Sequence, residues 1–251
     1  MRCGAAAVTF ERLRNTGSVL ESHVFGRPRP VSKQKPTSPT LDGVPPQGRS
    51  GEKYQRILDA AIAVIAEKGF FGSRVADIAD RAGVADGTIY LYFKNKDQIL
   101  MAAIDSAFAA FLTRARQELE PDSGPCERLR RLARLHLETL GSNRAMAVVF
   151  QTELRHSAKF LEQFSHTRLR EYFDLIRGVV RDGQTAGVFR KEVSEKIAAN
   201  CFFGALDEMV TSWMLSEHDY PLAGAADAVV DVIVRGLETR RGHGPSEAQY
   251  R

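Results

Sequence analysis

The sequence predicts an all-α protein: a unit of three short helices near the N-terminus, followed by a larger helical domain. Three observations carry this. In the first helix Tyr54, Ile57, Leu58, Ala61, Ile62 and Ile65 recur at three- and four-residue steps, while Lys53, Gln55, Arg56, Asp59, Glu67 and Lys68 fall between them, so one face is apolar and the other wet. Gly69, Gly83 and Gly187 stand where helices have to stop. The stretch from Asp97 to Glu118 then sets Ile99, Leu100, Ala103, Ile104, Ala107, Phe108, Phe111, Leu112 and Ala115 along one stripe before Pro121 and Pro125 break it.

The second helix starts beyond Ser73, whose side-chain oxygen is placed to cap it, and carries Val75, Ile78, Ala79 and Ala82. It is too short to stand alone. Gly83 supplies a tight turn to the third helix, and Val84 is the apolar anchor that such a turn needs to hold a crossing pair together. In the run Val84-Ala85-Asp86-Gly87-Thr88-Ile89-Tyr90-Leu91-Tyr92-Phe93 each residue advances about 100° around the helix axis. Ile89 and Phe93 therefore fall on the buried side, and Gly87, Thr88 and Leu91 lie opposite.

That outer side has the chemistry of a base-reading surface. Gly87 permits close backbone approach, Thr88 gives a hydroxyl, and Leu91 or the Thr88 methyl can meet a thymine methyl in a major groove. Tyr90 and Tyr92 flank this side, where a phenol hydroxyl reaches a phosphate and fixes register without reading sequence. Lys94 and Lys96 follow at the exit. Asn95 and Gln98 are spaced as a capping pair for the next helix, whose positive end also favours a phosphate. Ser73 and Arg74 at the start of the second helix, with Ala85 and Asp86 at the start of the third, complete the candidate DNA contacts.

With Ala82-Gly83-Val84, Gly87-Thr88-Ile89-Tyr90, Tyr92-Phe93 and Asn95-Lys96 in this order and spacing, residues 53–100 resemble the TetR family of bacterial transcription regulators. The resemblance implies a helix-turn-helix DNA-binding domain over 51–97 and a helical ligand-binding and dimerisation domain over 98–241. The partner it implies is double-stranded operator DNA, bound by a homodimer, because one three-helix head reads only a half-site. One departure is visible: Ala85 stands where many relatives carry Ser at the recognition-helix cap. Capping then has to come from elsewhere, with Asp86 at hand, and a missing cap costs about 1 kcal/mol locally.

In the larger domain a leucine helix with Leu129, Leu132, Leu135 and Leu140 closes at Gly141-Ser142-Asn143, and segments around Met146 to His156 and Ala158 to Gly183 follow. Two last helices, about Ser194 to Glu217 and Ala223 to Thr239, are apolar on more than one side, which suggests a partner. Relatives in the family dimerise through these helices, so Cys201 to Leu215 and Ala225 to Leu237 are the expected interface zone.

A narrower likeness runs through Phe150-Gln151-Thr152-Glu153-Leu154-Arg155 and Phe203-Gly204-Ala205-Leu206-Asp207-Glu208-Met209-Val210-Thr211-Ser212-Trp213. These resemble the FadR-type branch, whose members repress fatty-acid degradation genes and are released by long-chain acyl-CoA. Such a ligand needs a long apolar tunnel for its chain and cationic groups for its phosphates. Phe108, Phe111, Phe150, Phe164, Phe173, Phe202, Phe203 and Trp213 are available for the tunnel, and Arg155, Arg168 and Arg170 for the phosphates. Each has an ordinary reading too, as core or as solvated surface. The resemblance implies no cofactor, the acyl-CoA being an effector whose arrival tilts the helix from Asp97 to Glu118 and changes the separation of the two recognition helices.

Charge would not have led here by itself. The chain is net +4, but residues 1–50 hold eight Lys or Arg against three acids, 51–96 seven against six, and the rest twenty against twenty-two. DNA affinity is then expected from a few placed lysines and backbone amides, with marked salt dependence. Residues 1–50 carry six of the ten prolines and few large apolar groups, and are expected, like 242–251, to be disordered extensions. Gly4-Ala5-Ala6-Ala7-Val8 is too short and too soon followed by Glu11, Arg12 and Arg14 to be a secretory signal. No apolar run is expected to span a membrane. Three isolated cysteines, Cys3, Cys126 and Cys201, suit a reduced cytoplasm without disulfides or zinc.

Two rival readings compete for the same residues. Glu153-Leu154-Arg155-His156 holds the Glu-x-x-His unit of helical di-iron enzymes, but such sites need two copies, and His136, His166 and His218 have no carboxylate three residues before them. No Gly-rich phosphate loop, nucleophile elbow or paired-cysteine spacing points to an enzyme. The other rival is a drug-responsive repressor of an efflux transporter, in which the same aromatics bind a greasy cation beside Glu153, Asp207 or Glu208.

Overall fold

The computed structural model describes residues 49–119, 123–154, 160, 162, 168–218 and 220–238. Its elements are α1 (Arg49–Gly72), α2 (Val75–Ala82), α3 (Asp86–Ile89), α4 (Lys96–Glu118), α5 (Pro125–Gly141) and α6 (Arg144–Val148). Helix α6 runs into a π-helical turn, Val149–Leu154, and α7 (Arg168–Thr185), α8 (Glu195–Leu215), a 3₁₀ turn (Leu222–Ala225) and α9 (Ala226–Leu237) follow. The strand-like pairing among the described residues is a single bridge from Phe189 to Glu238, where Arg190 N–H also bonds the Leu237 carbonyl at 2.8 Å.

The head matches its apolar pattern. Ile57, Leu58, Ala61, Ile62 and Ile65 of α1 are buried with Ile78, Ala79 and Ala82 of α2, while Tyr54 is partly buried against them. Gly69 breaks the α1 helix with φ 71° and ψ 163°, and a last turn re-forms up to Gly72. Ser73 does not cap α2. It is only 3% exposed, and its hydroxyl turns back to donate to the Phe70 carbonyl at 2.9 Å. Arg74 takes the cap position instead, its N–H donating to Asp77 Oδ2 at 2.8 Å. Lys68 at 2.9 Å and that amide both hold the Asp77 carboxyl below its ordinary range.

Gly83 has φ 65°, and the amides of Gly83 and Val84 satisfy the carbonyls of Asp80 and Ala79 at 3.2 and 3.0 Å. Neither Ala85 nor Asp86 provides a side-chain cap to α3, which is a single turn followed by looser turns through Tyr92. Glycine, two β-branched residues and aromatics in a row are poor helix formers, so the recognition segment is shorter than its period suggests. Asn95 does cap α4, accepting from Gln98 N–H at 2.9 Å, while Gln98 Oε1 accepts from Lys94 N–H at 2.7 Å.

Two apolar clusters organise the chain, and α4 belongs to both. Ile99, Leu100 and Ile104 are buried in the head cluster, which also takes in Val149, Leu154 and Phe160. Phe111, Leu112 and Ala115 enter the second cluster with Leu129, Leu132, Tyr172, Ile176, Phe202, Leu206 and Val230. Contrary to expectation, α4 is long and apolar enough by composition to cross a membrane. Its apolar side is spent instead on these two cores.

Candidate DNA interface and ligand cavity

Ile89 and Phe93 are buried, and the ring of Phe93 stacks on Tyr54 with centroids 5.2 Å apart. This pins α3 to α1 and turns the other side outward. Ala85, Asp86, Gly87 and Arg74 are exposed and Thr88 is half-buried. Leu91 is 81% and Tyr90 59% exposed, a large apolar and an aromatic side chain that the fold does not cover. Lys94 is exposed beside them.

Three of the expected DNA contacts have other work. Ser73 is buried, as described above. Tyr92 is half-buried, its hydroxyl 2.9 Å from Ser50 Oγ and its ring edge-on to Tyr54 at 5.9 Å. Lys96 folds back into the head, where Nζ donates to the carbonyls of Phe70 and Ser73, the latter at 2.7 Å, and lies 4.4 Å over the Phe70 ring. Burial lowers its pKa from the ordinary lysine value. Its charge is committed to closing the turn between α1 and α2.

Where the two clusters meet lies a cavity of about 110 Å³. Phe108 and Phe111 from α4, Phe150 from the π-helical turn and Phe203 from α8 line it, as the sequence suggested. So do Ala107, Thr139, Leu140, Met146, Leu154 and Leu169, together with Asp207, one of the three carboxylates named for a cationic ligand, and two polar residues that the sequence pattern did not place there, His136 and Gln151. Gln151 Nε2 donates to Asp207 Oδ1 at 2.9 Å, a pair formed across 56 positions. His136 Nδ1 lies 3.2 Å from the Tyr172 hydroxyl. Burial pushes the His136 pKa down to about 4, so the ring is neutral, and raises that of Tyr172.

Other expected ligand residues are placed elsewhere. Phe173 packs on Phe203 with centroids 5.0 Å apart but does not reach the cavity. Trp213 is structural: its Nε1–H donates to the Tyr220 carbonyl at 3.0 Å and the Arg144 guanidinium lies 4.9 Å over its ring. Arg168 is paired with Asp105 at 2.8 Å and Glu171 at 3.3 Å, so its charge ties α7 to α4 and is not a free phosphate ligand. Arg155 and Phe164, like His156 of the Glu-x-x-His unit, lie outside the described residues. Glu153 of that unit accepts a hydrogen bond from Phe70 N–H at 3.1 Å, and no cluster of metal-ligating residues occurs among the described ones.

A signal for one missed residue was present. His136 continues the buried stripe Leu129, Leu132, Ala133 of α5 at helical spacing, a polar ring inside an apolar face. The contact of Glu153 with Phe70, by contrast, has no local signature.

Residues 57–103 match the family profile described as bacterial regulatory proteins of the tetR family, and residues 104–236 match that of the YsiA-like protein C-terminal region. The chain is 35% identical over 188 residues to the fatty acid metabolism regulator protein of Bacillus subtilis, covering 75% of this chain and 97% of that relative. Among solved structures, the transcriptional regulator FadR from Bacillus subtilis in complex with stearoyl-CoA is similar with a TM-score of 0.69 at 34% identity, over 74% of this chain and all (100%) of that one. The fatty acid degradation regulator FadR from Bacillus halodurans is similar with a TM-score of 0.71 at 34% identity, over 78% and 100%. With a helix-turn-helix head, a helical body around an apolar cavity, and likeness over almost the whole length of these regulators, the chain belongs to the TetR family of DNA-binding transcription regulators.

Proposed function

We propose that this regulator represses fatty-acid degradation genes as a homodimer on double-stranded operator DNA, and that long-chain acyl-CoA releases it. The observation that carries this reading is the cavity walled by Phe108, Phe111, Phe150 and Phe203, in a chain similar to a regulator solved with stearoyl-CoA. Residues 51–97 serve as the DNA-binding head and 98–241 as the ligand-binding and dimerisation body, with 1–50 and 242–251 as extensions. The base-facing residues are Gly87, Thr88 and Leu91, with Arg74, Tyr90 and Lys94 toward the backbone. The protein works in the cytoplasm by binding and not by turnover.

At about 110 Å³ the cavity is smaller than ordinary ligand sites, which begin near about 300 Å³, so an acyl chain seats by parting the walls. Two of those walls lead to the head. Helix α4 carries Phe108 and Phe111 at the cavity and Ile99, Leu100 and Ile104 in the head core. The π-helical turn carries Phe150, Gln151 and Leu154 at the cavity, and between them Glu153 holds the Phe70 amide. Displacing either element moves the head. A hundredfold loss of operator affinity needs roughly 2.7 kcal/mol of coupling.

Titration of the operator complex with stearoyl-CoA and with free stearate tests this reading. Release by the CoA ester is expected, and no release by any acyl-CoA would discard the effector. Asp207 on the cavity wall favours a second reading, a repressor of an efflux transporter, because a carboxylate there suits a lipophilic cation. Release by such a cation and not by acyl-CoA would select it.

A further inference from the structure

His136 lines the cavity yet is only 6% exposed, and its Nε2 has no hydrogen-bond partner among the described residues. A buried ring nitrogen left without a partner is costly, and such an atom in a native structure calls for an explanation. The ring is neutral, so one nitrogen carries a proton and the other a lone pair. Which is which follows from Tyr172. Its buried hydroxyl is bonded to His136 Nδ1, and a phenol has one proton to donate. Donation to Nδ1 satisfies the phenol and places the histidine proton on Nε2.

That N–H leaves the ring on the side away from Tyr172, which is not a cavity residue, and the ring packs edge-on against Phe111 and Phe203, which are. The cavity thus offers one fixed, uncharged donor in an aromatic setting. An uncharged donor there suits an uncharged acceptor, since a bare carboxylate would lose its hydration for a single hydrogen bond.

We propose that His136 donates from Nε2 to a carbonyl oxygen of the bound ligand, the thioester carbonyl of an acyl-CoA, with Tyr172 as the positioning residue that fixes the tautomer. This rests on the acyl-CoA reading above. It adds that the protein recognises the acyl link itself, besides the greasy chain.

The test compares stearoyl-CoA with S-octadecyl-CoA, a thioether in which a methylene replaces the carbonyl. Wild-type protein is expected to bind the thioester about tenfold more tightly, because the thioether leaves the donor unpaired. His136→Leu is expected to bind both alike, and His136→Gln, which keeps a donor, to restore part of the preference. The carbonyl stretch of stearoyl-CoA labelled with ¹³C at the thioester carbon should move to lower frequency in the wild-type complex and not in His136→Leu.

Equal affinity of the wild type for the two compounds, with an unshifted carbonyl band, would overturn the proposal and leave a buried water as the partner of Nε2. If the wild type binds neither compound, the acyl-CoA reading falls and the proposal with it. Should His136→Leu fail to fold, the wild-type affinity ratio and infrared band decide on their own.

Discussion

Lys94 and Lys96 leave the recognition turn two residues apart, and a sequence pattern treats them as one basic edge. The fold separates them. Lys94 is exposed beside Tyr90 and Leu91, while Lys96 donates to the carbonyls of Phe70 and Ser73 and caps the Phe70 ring. A lysine that neutralises a phosphate contributes to the salt dependence of DNA binding, whereas one tied to backbone carbonyls contributes to the geometry of the head. Lys94→Ala is therefore expected to reduce the slope of log affinity against log salt by about 1, with thermal stability unchanged. Lys96→Met should lower the melting temperature and leave the salt slope near that of the wild type. Fluorescence anisotropy on a labelled operator at several salt concentrations, with a thermal melt of each variant, reads both. A larger loss of slope for Lys96→Met than for Lys94→Ala would show that Lys96 swings out to the DNA.

At the scale of the elements, local chemistry was legible and distant pairing was not. The stop at Gly83, the cap at Asn95 and the burial of Ile89 and Phe93 all follow from residues within a few positions of one another, and all are present. The Ser73 cap failed because the hydroxyl found the Phe70 carbonyl first, an alternative that a pattern of residue types does not rank. Of the cavity, the aromatics Phe108, Phe111, Phe150 and Phe203 could be named, but the Gln151–Asp207 pair depends on how the π-helical turn meets α8, which one sequence does not state. The same holds for the link between cavity and head. The turn Val149–Leu154 is π-helical, a form often found at functional sites, and it alternates between the two regions: Phe150, Gln151 and Leu154 at the cavity, Glu153 on the Phe70 amide. With Lys96 on the Phe70 carbonyl, both backbone polar groups of Phe70 are gripped, one from the body and one from α4. Glu153→Ala removes the grip from the body and leaves the cavity lining intact. Operator affinity without ligand should change little, while the fold-release produced by saturating stearoyl-CoA should drop several-fold. Equal release in wild type and variant would assign the coupling to α4 alone.

On the scale of the whole molecule, coupling matters only if two heads are held in a fixed relation, and the outer surface of α8 and α9 is the proposed place for that contact. Along α8 the exposed positions Ile197, Cys201, Gly204, Glu208, Ser212 and Leu215 follow one another at three- and four-residue steps, and Val232 of α9 is 74% exposed. A stripe of this spacing, with large apolar side chains at its ends and, Glu208 apart, small ones within, suits a partner helix packed against it. In a two-fold assembly each such residue meets the same patch of the other copy, so one substitution acts twice. Val232→Asp places two buried charges in the proposed interface, and the cost of desolvating them exceeds what a surface carboxylate loses in the monomer. The variant is expected to sediment as a monomer with an unchanged helical circular dichroism spectrum. On DNA the consequence is larger than the loss of half the contacts, because the second head of a dimer binds at the high effective concentration set by the first. Affinity for a palindromic operator should fall at least a hundredfold, toward that for an isolated half-site, and stearoyl-CoA should no longer discriminate between the two DNAs. A Val232→Asp protein that stays dimeric and keeps its operator affinity would place the two-fold contact on another face of the body.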